Sequence, residues 1–135
     1  MPRPIRCILL VDDDPDDNFF HRLVIEQSGL CDEVRMAEKG LDALHYLTHT
    51  DQPGYQRPDI IFLDINMPGM NGFEFLEHYH RLPEDQKSRL LLLMLTTSLN
   101  PIDQKRAGAF SEVNGYHTKP LSLEMLQEIV DQYFR

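Results

Sequence analysis

The sequence predicts an α/β fold: a doubly wound, five-stranded parallel sheet with five helices. Three observations predict it. Short apolar runs alternate with helix-like segments along the whole chain. Each run stops abruptly at a polar or acidic residue. The fourth run, Leu90 to Leu95, is apolar at every position, as expected of a strand buried on both faces.

The first strand is Ile5 to Val11. It ends at Asp12-Asp13-Asp14-Pro15-Asp16-Asp17, where Pro15 suits a first helical turn and acids complement a helix N-terminus. A helix from Pro15 to Gln27 follows, with Phe19, Leu23 and Val24 expected inward, and Ser28-Gly29 stops it. Glu33 to Ala37 reads as the second strand. Gly40 to His49 reads as the second helix, with Leu41, Leu44 and Leu47 on one stripe. A polar loop, TDQPGYQRP (50–58), leads to a third strand at Asp59 to Leu63, ended by Asp64.

Asn66 to Gly72 is rich in turn residues. The third helix runs from Phe73 to Leu82, with Phe73, Leu76 and His80 expected inward. A connector from Pro83 to Ser88 leads to the fourth strand, Arg89 to Leu95, which Thr96-Thr97-Ser98 ends. Asn100-Pro101 is a cap followed by proline at the first helical position, starting a helix to Ser111. Tyr116 to Thr118 is the fifth strand, followed by Lys119-Pro120. Ser122 to Phe134 is the last helix, with Leu123, Leu126, Val130 and Tyr133 on one stripe and Met125, Ile129 and Phe134 off it. One stripe must face the sheet, so the remainder predicts an exposed apolar patch.

Composition narrows the function. The 135 residues suit one domain, residues 1–135. Thirteen basic against 22 acidic residues leave a net charge of −9, which argues against nucleic-acid binding. The longest apolar run, at 90–95, is far short of the roughly 20 residues that cross a bilayer, so no membrane span is expected. The N-terminus lacks the apolar stretch of a secretory signal, which points to the cytoplasm. Cys7 reads as a small buried hydrophobe, and a disulfide to Cys31 is the minority reading for a cytoplasmic chain.

In a doubly wound sheet, ligands bind beyond the carboxyl ends of the strands. Those ends carry Asp12-Asp13, Asp64, Thr96 and Lys119. A strand order 2-1-3-4-5 sets the first and third ends side by side, so three carboxylates crowd one pocket beside a hydroxyl and an ammonium group. Crowded carboxylates repel, and Mg2+, which favours oxygen ligands, relieves the repulsion. A cation, a lysine and a threonine suit a phosphoryl group, and one aspartate is then a free nucleophile.

The stretches ILLVDDD (8–14), IIFLDINMPGMNG (60–72), LMLTTS (93–98) and GYHTKP (115–120) resemble the receiver domain of two-component response regulators. The resemblance spans nearly the whole chain and implies a flavodoxin-like fold. It implies that Asp64 is the phosphoacceptor, Asp13 the direct metal-binding acid, Asp12 its partner acting partly through water, and Asn66 a ligand through its backbone carbonyl. Thr96 resembles the switch hydroxyl, Tyr116 the aromatic switch residue and Lys119 the lysine that contacts the phosphoryl group. Pro120 resembles the proline whose preceding peptide bond is cis in the family.

The implied function is that of a signalling switch, not an enzyme in the ordinary sense. A sensor histidine kinase donates the phosphoryl group, and Mg2+ is the cofactor. The output is a protein-binding surface or homodimer on the face built from helix four, strand five and helix five. The last helix closes the chain, so a stand-alone receiver is expected. The TDQPGYQRP loop and the LTTS motif are similar to small regulators paired with bacterial phytochromes. A phosphorylation-independent adaptor and a relay intermediate to a histidine phosphotransfer protein are the alternatives, and the second shares every site residue.

Blander readings compete. Asp14, Asp16 and Asp17 read as a helix cap and first-turn charges. An EF-hand loop is excluded, because Asp17 stands where it needs glycine and Leu23 where it needs glutamate. A haloacid-dehalogenase-like phosphatase needs a second aspartate two residues after the first, where this chain has Asn66, which cannot deliver a proton. His45 and His49 read as surface polar residues rather than metal ligands.

Overall fold

A computed structural model describes residues 3–97 and 100–134. Ser98 of the LTTS motif, Met1 and Arg135 lie outside the described residues. Strands β1 (Ile5–Val11), β2 (Cys31–Ala37), β3 (Ile60–Leu63), β4 (Leu91–Thr96) and β5 (Val113–Thr118) alternate with helices α1 (Pro15–Ser28), α2 (Gly40–Thr48), α3 (Gly72–His80), α4 (Pro101–Gly108) and α5 (Leu123–Tyr133). A short 3-10 turn, Glu84–Gln86, precedes β4.

All pairings are parallel, and the order is β2-β1-β3-β4-β5, as expected. The order follows from burial. The most apolar strands, β1, β3 and β4, take the centre, and every residue of β3 and β4 is buried. Side chains alternate between two layers. Ile8 and Leu10 join Ile25, Leu126, Ile129 and Val130 under α1 and α5. Leu9 and Val11 join Ala43, Leu47, Phe73, Leu76, Tyr79 and Ala107 under α2, α3 and α4.

Local signals set the helix ends. Asp14 caps α1, accepting from the backbone N–H groups of Asp16 and Asp17, and Gly29 ends it in the left-handed region at φ 70°. Asn71 and Glu74 form a reciprocal capping box on α3. Asn100 caps α4 through the Ile102 N–H, with Pro101 in the first turn as expected.

Several inward faces differ from expectation. The buried residues of α1 are Asn18, His21 and Ile25, whereas Phe19 is 59% exposed and Leu23 is also exposed. The apolar stripe is therefore not the core stripe. Polar residues turn inward because this end of α1 packs beneath the acidic strand ends. On α2, Ala43 and Leu47 are buried and Leu41 is exposed. On α3, Phe75 and Tyr79 join Phe73 and Leu76 inside, while His80 points outward to Glu112, with Nδ1 2.7 Å from Oε2.

On α5 the core positions are 126, 129 and 130, an i, i+3, i+4 set. Ile129 thus faces the sheet, and the expected members Leu123 and Tyr133 are exposed. Helix α4 stops at Gly108, three residues early, and β5 starts at Val113, three residues before the expected Tyr116. β2 starts at Cys31, two residues before the expected Glu33. Cys7 and Cys31 are free and buried. Burial pushes their thiols up to about 12 and about 11, so neither is a thiolate at neutral pH. Among the described residues, no helix is long and apolar enough to cross a membrane.

Candidate functional site

The register brings the strand ends together. Val11 pairs with Leu63 across β1 and β3, and the Asp64 N–H donates to the Val11 carbonyl at 2.9 Å. Asp12 and Asp64 therefore leave neighbouring strands at one level. One carboxylate oxygen each from Asp12, Asp13 and Asp64 lie within 4.8 Å of one another. Asp12 and Asp64 are buried. The donor set is all oxygen and all anionic, which suits a hard divalent cation.

Lys119 reaches this cluster from the end of β5. Its Nζ lies 2.6 Å from Asp12 Oδ2 and 3.7 Å from Asp64 Oδ1. The Lys119 N–H donates to the Thr96 carbonyl at 2.6 Å, which joins the ends of β4 and β5. The Lys119–Pro120 peptide bond is cis. Thr96 is buried at the end of β4, opposite Thr118. Tyr116 is half-buried on β5, and its hydroxyl has no hydrogen-bond partner among the described residues. Asn66 is exposed, two residues beyond Asp64.

The electrostatics match the crowding. Burial pushes the Asp64 carboxyl up to about 6, and the charges of Asp12 and Asp13 add to the effect. Lys119 and a hydrogen bond from the Asn66 backbone pull the other way. For Lys119, burial is the largest influence and works to lower its pKa. Hydrogen bonds to Asp12 and Asp17, with the nearby Asp64 charge, outweigh it and hold the ammonium above the usual lysine range.

Gly72 closes the loop that follows Asp64. Its N–H donates to the Ile65 carbonyl at 2.8 Å. A Cβ there would lie 2.6 Å from the Asp64 carbonyl oxygen and 2.8 Å from Ile65 Cα. Only glycine lets the start of α3 approach the backbone of the acidic strand end this closely.

Two residues near the site gave no signal as site residues in the sequence. Asn18, 2% exposed, donates through Nδ2 to the Asp12 carbonyl at 2.9 Å. Its Oδ1 is buried and has no partner among the described residues, and Asn18 lines a cavity of about 10 Å3 together with His21, Asp12 and Asp64. Burial, and then the charge of Lys119, lower the pKa of His21. Asp17, read as a first-turn charge, also pairs with Lys119, its Oδ2 2.9 Å from Nζ. Facing inward on α1 was the missing information for Asn18, and apolar periodicity alone selected the wrong face. Asp14 and the exposed Asp16 remain a cap and a first-turn charge.

Larger grooves lie elsewhere. One of about 260 Å3, lined by Tyr79, Glu84, Lys87 and Glu112, opens at the amino ends of β4 and β5. Its Lys87 and Glu112 are already paired at 3.0 Å. Asp12, Asp13, Asp64 and Lys119 converge at the carboxyl ends, where a doubly wound sheet places its ligands.

The family profile of the response regulator receiver domain matches residues 8–131. The chain belongs to the response regulator receiver family. It is 32% identical over 128 residues to response regulator Rcp1 of Synechocystis, covering 94% of this chain and 85% of that protein. A two-component response regulator from Cytophaga hutchinsonii superposes with a TM-score of 0.85 at 32% identity, covering 96% of this chain and 97% of that one. The phosphorylated cyanobacterial phytochrome response regulator RcpA superposes with a TM-score of 0.73 at 30% identity, over 94% of this receiver and 89% of that chain. As a receiver, the protein is a signalling domain of two-component systems, and its acidic cluster is compatible with a divalent metal.

Proposed function

We propose that this receiver accepts a phosphoryl group from a sensor histidine kinase on Asp64 and signals through a phosphorylation-dependent protein-binding surface. The reading rests on one observation above all. Three carboxylates and one ammonium group, from three separate points of the chain, meet at the carboxyl ends of the strands.

Asp12, Asp13, Asp64 and the Asn66 carbonyl would hold Mg2+, which would supply positive charge for the phosphoryl oxygens when bound. A carboxylate oxygen of Asp64 attacks the phosphorus of phosphohistidine in line. The new P–O bond forms as the P–N bond breaks, and its electron pair leaves with the imidazole, which takes up a proton. Lys119 neutralises a second phosphoryl oxygen, and the Thr96 hydroxyl donates to a third. Water attacking the same phosphorus later returns the acid and inorganic phosphate.

When Thr96 turns toward the new group, Tyr116 moves into the space it leaves, and the α4, β5 and α5 face changes shape. The half-buried Tyr116, whose hydroxyl has no partner among the described residues, supports that role. The exposed Leu123 and Tyr133 on α5 supply apolar area for a partner or a second copy. The exposed Phe19 and Phe20 of α1 flank the acidic end and give an incoming kinase an apolar landing. A cytoplasmic location is part of this reading, and the two buried free thiols support it.

The test is incubation with Mg2+ and acetyl phosphate, read by intact mass. The expected result is one phosphoryl group per chain, dependent on Mg2+ and absent from Asp64→Asn. An adduct at full stoichiometry in Asp64→Asn overturns the acceptor assignment.

A further inference from the structure

The transfer asks Lys119 for one contact, with the group on Asp64, yet at rest the ammonium sits elsewhere. Nζ is 2.6 Å from Asp12 and 2.9 Å from Asp17, within hydrogen-bond reach, but 3.7 Å from Asp64. Asp12 belongs to the metal-binding set. Asp17 does not. It stands in the first turn of α1, and its own N–H donates to the Asp14 cap. That cap pins the turn, so the Asp17 carboxylate faces Lys119 from a fixed base.

Resting on the reading of Asp64 as acceptor, we propose that Asp17 is a positioning residue for Lys119. It holds the ammonium on the α1 side of the pocket and competes for it with the phosphoryl group on Asp64.

Two effects follow. Without a cation, Asp12 and Asp17 share the ammonium. With Asp17 neutralised, Lys119 leans wholly on Asp12, and Asp12 is harder to free for a divalent ion. Cation affinity therefore falls. Once Asp12 is engaged by the ion, Lys119 has lost its shortest partner, and only Asp17 draws it away from the acceptor. Neutralising Asp17 then leaves Lys119 to Asp64, and transfer at saturating cation speeds up.

The plain alternative is that Asp17 acts only as one more negative charge near the pocket. Asp16 provides the control. It is exposed, sits in the same turn, carries the same charge and has no ion pair with Lys119. Asp17→Asn, Asp16→Asn, Lys119→Met and the double variant Asp17→Asn/Lys119→Met are compared with the parent. Mg2+ affinity is read by calorimetry, and adduct formation with acetyl phosphate at saturating Mg2+ by intact mass.

Asp17→Asn is expected to weaken Mg2+ binding about three- to fivefold, the scale of a partly exposed ion pair, and to speed adduct formation by a similar factor. Asp16→Asn is expected to change affinity by less than about twofold and the rate not at all. In the Lys119→Met background the Asp17→Asn effect should shrink to that of Asp16→Asn, and Asp17→Glu should restore parental behaviour. Equal effects of the two neutralised acids, or an Asp17→Asn effect that survives without Lys119, would overturn the proposal. Mg2+ affinity is read without any phosphoryl group. Failure of every protein to form an adduct would thus strike the acceptor reading, while the binding cycle alone decides the role of Asp17.

Discussion

The side-chain amide of Asn18 donates to the backbone carbonyl of Asp12 across 2.9 Å, tying the acid at the end of β1 to the helix that follows it. Asn18→Leu removes that bond and leaves the carbonyl buried and unpaired. The expected cost is about 1–3 kcal/mol of stability, with weaker Mg2+ binding because Asp12 loses its anchor. Urea denaturation and calorimetry on the variant check both.

The inward face of α1 makes a sharper contrast. Ile25 is fully buried, whereas Phe19 is mostly exposed. Ile25→Ala is expected to cost about 2–5 kcal/mol, and Phe19→Ser less than about 0.5 kcal/mol. Urea midpoints of the two variants decide which face packs. A large loss for Phe19→Ser would contradict the observed orientation.

At the opposite end of β3, Asp59 is 1% exposed, accepting from the Arg6 N–H at 2.8 Å and from Arg89 Nε at 2.8 Å. Asp59→Leu removes the acceptor of the Arg6 backbone N–H and strips Arg89 of its partner. The expected loss is about 2–4 kcal/mol, measured by thermal or urea unfolding. Phosphoryl acceptance at Asp64 should survive wherever the variant remains folded.

Glu112 gives the pH dependence a location. Burial works to raise its pKa, but hydrogen bonds from Lys87 and His80 outweigh burial and leave it lowered. A carboxylate depressed on folding contributes stability that is present above its unfolded pKa and lost as pH falls through the folded value. The urea midpoint should therefore decline on acidification below the ordinary glutamate range, and Glu112→Gln should flatten part of that decline. A variant with the parental acid profile would remove Glu112 from the account.

The strand ends were legible because chemistry and topology agree there. Asp12, Asp13, Asp64 and Thr96 follow apolar runs and Lys119 follows the short fifth strand, and a parallel sheet aligns those ends whatever the helices do. The helices were less legible. On α1, apolar periodicity pointed to Phe19 and Leu23, while Asn18, His21 and Ile25 are the residues buried. Polar residues that line a site break the rule that inward means apolar, so the helix nearest the pocket misleads most. Asp17 was hidden for another reason: its partner lies 102 residues away. On α5 two stripes competed, and only packing against the sheet selected 126, 129 and 130.

The β3–α3 turn leaves no room for even one methyl group beside the Asp64 backbone, since a Cβ on residue 72 would stand 2.6 Å from its carbonyl oxygen. Diversification of this segment is therefore channelled to its outer tip. Exposed Pro68 is open to exchange without disturbing the Asp64 carboxylate, while any side chain at 72 would push on the Asp64 backbone itself. An engineer who wanted to vary this turn would redesign its tip and leave position 72 without a side chain.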